Sequence, residues 1–202
     1  MRRVCIIKRK TKETEINLSL NIDGSGKVDI DTGIGILDHM LELFSFHGFF
    51  DLKIKAKGDL KKIDLHHTNE DIGLVLGEAF KKALGDKKGI RRFGFSAVPM
   101  EENLALVSLD ISGRAYFKLV MDNLLRFTQN QDKYSLEDFK HFLESFSQHL
   151  GMNLYVEVKT SETKDLHSII EPVFKALGLA LDQATQIDSR RRGIPSTKGI
   201  ID

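Results

Sequence analysis

A chain of 202 residues with 41% hydrophobic and 29% charged side chains carries enough apolar material for a packed core, which excludes an intrinsically disordered polymer. Thirty Lys and Arg offset 29 Asp and Glu for a net charge of +1, so bulk electrostatics gives no reason to expect nucleic acid or an acidic membrane as partner. A single cysteine, Cys5, rules out an internal disulfide and a thiolate metal cluster, and no apolar run approaches a membrane span, so a cytoplasmic protein is expected.

The N-terminal text holds an apolar run too short for a signal-peptide core. Residues 13–22 alternate Ile16, Leu18, Leu20 and Ile22 with polar neighbours, the period of a half-buried strand. Asp23-Gly24-Ser25-Gly26 reads as a turn, and 27–32 as a second strand. From Ile34 to His47 the apolar residues Leu37, Met40, Leu41 and Phe44 recur at helical spacing, with Gly48 as the stop. Residues 51–59 alternate again, and Ile72, Leu76, Phe80 and Leu84 predict a helix over 68–84.

The second half repeats this order. It has two strands around a Ser112-Gly113 turn within 103–120, a helix over 136–150 closed by Gly151, a strand over 153–160 and a helix over 169–181. The connection 121–134 is long enough to read as a functional or mobile loop. Residues 109–114 echo 22–27, and His167 to Glu171 echo His66 to Glu70 at a constant displacement of 101 positions. The expectation is one α/β domain over 1–202, an α+β layered fold of two duplicated βββαβα halves. The halves fall at approximately 1–88 and 89–188, followed by a basic tail, 189–202.

Seven histidines are the obvious chemistry. His66 and Glu70 lie i, i+4 at a helix start and share one face, whereas His67 is rotated by about 100° and faces elsewhere. Imidazoles with a carboxylate suit a borderline-hard divalent ion, and the bland alternative is a solvated helix start. The same His and Glu spacing at His167 and Glu171 favours the metal, because a charged Glu is seldom buried unpaired. His39 could add a ligand or simply bond Asp38. His47 reads as a cation at a helix C-terminus, and His141 and His149 as structural or solvated. Arg92, Arg114, Lys175, Ser196 and Lys198 are suited to phosphate, whereas Arg190 and Arg191 read as surface charge. Neither a Walker loop nor a dinucleotide fingerprint is present.

Three separated stretches carry a resemblance: Gly33-Ile34-Gly35-Ile36-Leu37-Asp38-His39-Met40-Leu41, His66-His67-Thr68-Asn69-Glu70-Asp71 and Gly193-Ile194-Pro195-Ser196-Thr197-Lys198-Gly199. In this order they are similar to imidazoleglycerol-phosphate dehydratases of histidine biosynthesis, and the likeness runs over nearly the whole chain. The resemblance implies helices packed between two sheets and dehydration of imidazoleglycerol phosphate to imidazoleacetol phosphate. It also implies a homo-oligomer built from trimers, 24 subunits in the family, and two Mn²⁺ ions per chain held between neighbouring subunits. It assigns His39, His66, Glu70 and His167 to one metal. Glu13, Glu171 and His39 are implied in catalysis, and Arg92, Arg114, Ser196 and Lys198, with Lys175 adjacent, in holding phosphate.

Two metal-ligand positions depart from the family pattern. The second metal would take His67 and Glu171, but its two remaining imidazoles are Ser168 and Tyr155 here. A serine hydroxyl is neutral and short, and a tyrosine would have to lose a proton of pKa about 10. One strong metal site and one compromised site are therefore expected, and loss of a metal at a subunit junction would stop assembly at trimers. The alternative is a catalytically degraded or re-purposed paralogue that keeps the scaffold for binding or assembly.

Overall fold

The computed structural model describes residues 3–59, 64–121, 133–159 and 165–201. The first half runs β1 (Val4–Lys10), β2 (Thr14–Asn21), β3 (Val28–Asp31), α1 (Gly35–His47), β4 (Asp51–Gly58) and α2 (His66–Leu84). The second repeats it with β5 (Phe93–Met100), β6 (Asn103–Asp110), β7 (Tyr116–Met121), α3 (Leu136–Leu150), β8 (Asn153–Lys159) and α4 (Leu166–Thr185). The predicted βββαβα order is thus present twice. Most of the predicted 121–134 connection lies outside the described residues.

Each half forms one four-stranded sheet, in the orders β1-β2-β4-β3 and β5-β6-β8-β7. The last pair of each order is parallel and the others antiparallel, and each parallel pair is bridged by a helical crossover. Registers such as Leu18↔Ile54 and Val107↔Val156 put apolar side chains on one face. The helices fill the space between the sheets. α2 covers the first sheet and packs on α3, while α4 covers the second and packs on α1, so the halves interlock. Phe44 of α1, Phe80 of α2 and Phe146 of α3 meet at ring separations of 5.8–6.1 Å. Burying such rings is the main stabilising term of the middle layer.

Strands β1 and β5 carry no usable alternation. Val4 and Ile6 of β1 face outward while Cys5 and Ile7 face the core, so both faces are apolar. In β5 the pattern is inverted: Phe93 and Phe95 are exposed and Gly94 is buried. A Cβ at Gly94 would lie 1.8 Å from the Ala180 carbonyl oxygen, so the backbone of α4 occupies the space a side chain would need. A similar approach joins α2 to α3, where a Cβ at Gly77 would fall 2.6 Å from the Phe146 carbonyl oxygen. Among the described residues, no helix is long and apolar enough to cross a membrane.

Candidate metal and phosphate centres

The first turns of α4 carry His167 and Glu171 on one face. Asp165 caps the helix, accepting hydrogen bonds from the backbone N–H groups of His167 (3.3 Å) and Ser168 (3.2 Å). Pro172 has no N–H to offer the carbonyl of Ser168, four residues back. Asn103, at 2% exposure, fills that gap: its Nδ2 donates to the Ser168 carbonyl oxygen at 3.0 Å. The turn bearing both candidate ligands is therefore held from β6.

Across from it, α1 presents His39. Its Nε2 lies 3.6 Å from Glu171 Oε2, which is 2.7 Å from His167 Nε2, and the two imidazoles meet edge to face at 5.2 Å. Ligand atoms of His39, His167 and Glu171 fall within 4.8 Å of one another. Asp38 does not bond His39; it accepts from the Thr32 backbone N–H and hydroxyl. The other oxygen of Glu171 takes Lys175 Nζ at 2.5 Å. Burial pushes the Glu171 carboxyl up, but the Lys175 and His167 contacts together outweigh it and leave its pKa below the ordinary value. Lys175, predicted for phosphate, is thus engaged with a carboxylate. His47 departs from the expected helix-end cation. Burial, reinforced by the Lys175 charge, lowers its pKa and favours neutral imidazole.

The second candidate set lies at the start of α2. His66 Nε2 stands 3.5 Å from Glu70 Oε2, and His67 turns away as its rotation predicts, to Asp59 Oδ2 at 3.1 Å. That hydrogen bond is the main cause of a raised His67 pKa; burial opposes it, and the nearby charge of Glu13 adds to it. Glu13 sits in the β1–β2 turn, not within a strand. Asp71 of α2 holds that turn, accepting from Arg9 at 2.5 Å and from Thr14. His66 also meets His141 of α3 edge to face at 5.1 Å, beside a cavity of about 240 Å³ that Glu70 and Glu144 also line. Sequence reasoning did not place His141 or Asp59 beside the α2 histidines. Their only signal is spatial, since the α2–α3 packing and the end of β4 bring them to the α2 histidines.

One chain does not assemble the predicted ligand sets. His39 and His167 of the first set stand together with Glu171 of the second, while His66 and Glu70 occupy the other helix pair. Neither replaced position offers a ligand to these clusters. The Ser168 hydroxyl donates to Asp165 at 2.8 Å, and Tyr155 is exposed on β8, paired in register with Ser108 and Lys118.

The basic residues are distributed around the C-terminal segment. Arg92 donates to Asp110 through Nε (2.6 Å) and Nη2 (2.9 Å), and to the Pro195 carbonyl oxygen through Nη1 (2.9 Å). It therefore anchors the segment bearing Ser196 and Lys198, and two of its five N–H groups remain for an anion. Arg114 lies in a turn pinned through Ser112 Oγ, which accepts from Asn153 at 2.7 Å. Arg190 pairs with Asp188, as expected of surface charge. An open cavity of about 590 Å³ is lined by Asp188, Arg190–Arg192, Gly193 and Ile194, not by the residues predicted for phosphate.

The family model described as imidazoleglycerol-phosphate dehydratase matches residues 32–181. An imidazoleglycerol-phosphate dehydratase of Thermoanaerobacter sp. (strain X514) is 54% identical over 96% of this chain and 97% of its own. One from Geobacter sp. (strain M21) is 51% identical, covering 98% of this chain and 99% of its own. The solved structure of the Pyrococcus furiosus protein is 34% identical with a TM-score of 0.79, covering 96% of this chain and 99% of that one.

Proposed function

This chain belongs to the imidazoleglycerol-phosphate dehydratase family, lyases of histidine biosynthesis, and on that premise we propose that it dehydrates imidazoleglycerol phosphate with the help of bound Mn²⁺. The observation that carries the metal reading is the convergence of His39 Nε2, His167 Nε2 and Glu171 Oε2. Two imidazoles and a carboxylate fit a borderline-hard divalent cation, with His66, Glu70 and His67 as the donors of the other helix pair. The degraded-paralogue alternative is not favoured: relatives bearing the dehydratase name are about half identical over nearly the full chain.

The substrate loses a hydroxyl and a carbon-bound proton as water, and the resulting enol becomes the ketone of imidazoleacetol phosphate. Bound at these residues, the cation supplies Lewis-acid stabilisation of charge on the substrate imidazole, which has no adjacent carbonyl to accept it. Glu171, kept ionised by Lys175, orients toward the two imidazoles and is the carboxylate nearest them. Glu13 is the proposed proton-transfer group beside His67. Arg92, Arg114, Ser196 and Lys198 hold the phosphate, with Arg92 also ordering the loop that supplies the last two.

The two histidine clusters sit on different helix pairs, so one chain completes neither predicted ligand set; the homo-oligomer built from trimers, in which neighbouring copies complete each site, follows from the family reading. The site that lacks imidazoles at Tyr155 and Ser168 is the weaker one. A reducing cytoplasm suits the free, buried Cys5. The test is turnover of imidazoleglycerol phosphate by protein stripped with a chelator and then titrated with Mn²⁺. Product that disappears on stripping and returns with Mn²⁺ is expected; turnover that ignores both treatments overturns the metal reading.

A further inference from the structure

Asp59 follows the last residue of β4, eight positions before His67. Its Oδ2 lies 3.1 Å from His67 Nδ1, and its side chain is 12% exposed against 30% for the histidine. The other oxygen, Oδ1, is buried and has no hydrogen-bond partner among the described residues. A carboxylate withdrawn from water for one contact, with its second oxygen orphaned, is a poor device for stability. The pair is also not a chance encounter of flexible surface groups. A Cβ at Gly58 would lie 1.8 Å from Thr68 Oγ1, so the end of β4 touches the first turn of α2, and the segments carrying Asp59 and His67 are in close contact.

We infer that Asp59 is the positioning residue of His67: its carboxylate takes the Nδ1–H, so the ring presents the Nε2 lone pair for coordination. A neutral imidazole has one N–H, and whichever nitrogen carries it cannot bind a cation. A carboxylate at Nδ1 fixes that choice, fixes the ring plane and makes Nε2 a stronger donor. His66 in the same turn has a different arrangement, its Nε2 facing Glu70. The inference rests on the proposed reading of His67 as a metal ligand.

The experiment uses the full chain and its Asp59→Ala, Asp59→Asn, His67→Ala and His67→Ala/Asp59→Ala variants. Two-bond proton–nitrogen NMR of the metal-free protein reads the His67 tautomer, and calorimetry with Mn²⁺ alone reads affinity. The Nδ1–H form is expected in the wild type and in Asp59→Asn, whose amide oxygen still accepts, and loss of that preference is expected in Asp59→Ala. Mn²⁺ affinity should fall about 10–100-fold in Asp59→Ala and less in Asp59→Asn. In the His67→Ala background the Asp59 change should cost nothing further. An unchanged His67 tautomer in Asp59→Ala, or an equal affinity loss with and without His67, overturns the inference. If His67→Ala leaves Mn²⁺ affinity intact, the ligand reading of His67 fails instead, and the tautomer alone then decides whether Asp59 sets the ring.

Discussion

Replacing Asn103 by alanine tests how the turn bearing His167 and Glu171 is held. The Ser168 carbonyl lacks its helical donor because residue 172 is proline, and Asn103 Nδ2 supplies the substitute at 3.0 Å. Removing it leaves a carbonyl without its donor, at about 1–3 kcal/mol. Part of this is offset, because Asn103 Oδ1, itself buried without a partner among the described residues, leaves as well. A net loss of about 1–2 kcal/mol is expected, or roughly 2–8 °C in Tm for a chain of this size. In a Pro172→Ala background the new N–H can reach the Ser168 oxygen along the helix, so the same Asn103→Ala change should cost at least about 1 kcal/mol less. Urea denaturation of the four proteins, at one protein concentration, measures this coupling. An Asn103→Ala cost that is equal in both backgrounds would refute the substitution of one donor for the other.

Two further perturbations probe the scaffold. Gly77→Ala should lower stability by about 1–2 kcal/mol despite alanine's better helix propensity, because its Cβ would stand 2.6 Å from the Phe146 carbonyl oxygen. Gly35→Ala on α1, with nothing within 4 Å, serves as the control, and a Gly77→Ala protein as stable as wild type in urea would contradict the close approach. Asp51 accepts from the backbone N–H groups of Ser25 (2.8 Å) and Lys27 (3.1 Å); burial raises its pKa, but these and the Asn21 and Ser25 side-chain bonds together leave it below the ordinary value. A lowered folded-state pKa gives stability that is full above the unfolded carboxyl value of about 3.9 and is lost as the pH falls below it. Asp51→Asn should therefore be less stable than wild type at neutral pH by about 1 kcal/mol, the gap closing as the pH falls through the lowered folded-state pKa, whereas a gap constant with pH in urea midpoints would count against this role.

Much of this protein is legible without coordinates because its signals are local. The period-2 text of residues 13–22, the helical spacing of Leu37, Met40, Leu41 and Phe44, and the two His-to-Glu spacings each depend only on neighbours within a turn or a strand. They suffice for the ββαβα part of each half and for the rotation of His67 away from His66, whereas the family rests on the resemblance of three separated motifs. Strands β1 and β5 escape because their outward faces are apolar, with Ile6 70% and Phe95 60% exposed, so burial there does not follow hydrophobicity. The histidine clusters show the same division. Spacing pairs His167 with Glu171 along one helix, but nothing local says that α1 packs on α4 and brings His39 to them, or that the end of β4 delivers Asp59 to His67. Nor does a basic side chain announce whether it meets an anion or a carbonyl, and Arg92 is committed to Asp110 and Pro195 by contacts 18 and 103 residues away. Sequence determined the elements and the inventory of ligands, because backbone periodicity and residue chemistry are short-range. Tertiary packing alone decided which ligands converge, because that depends on contacts between residues far apart in the chain.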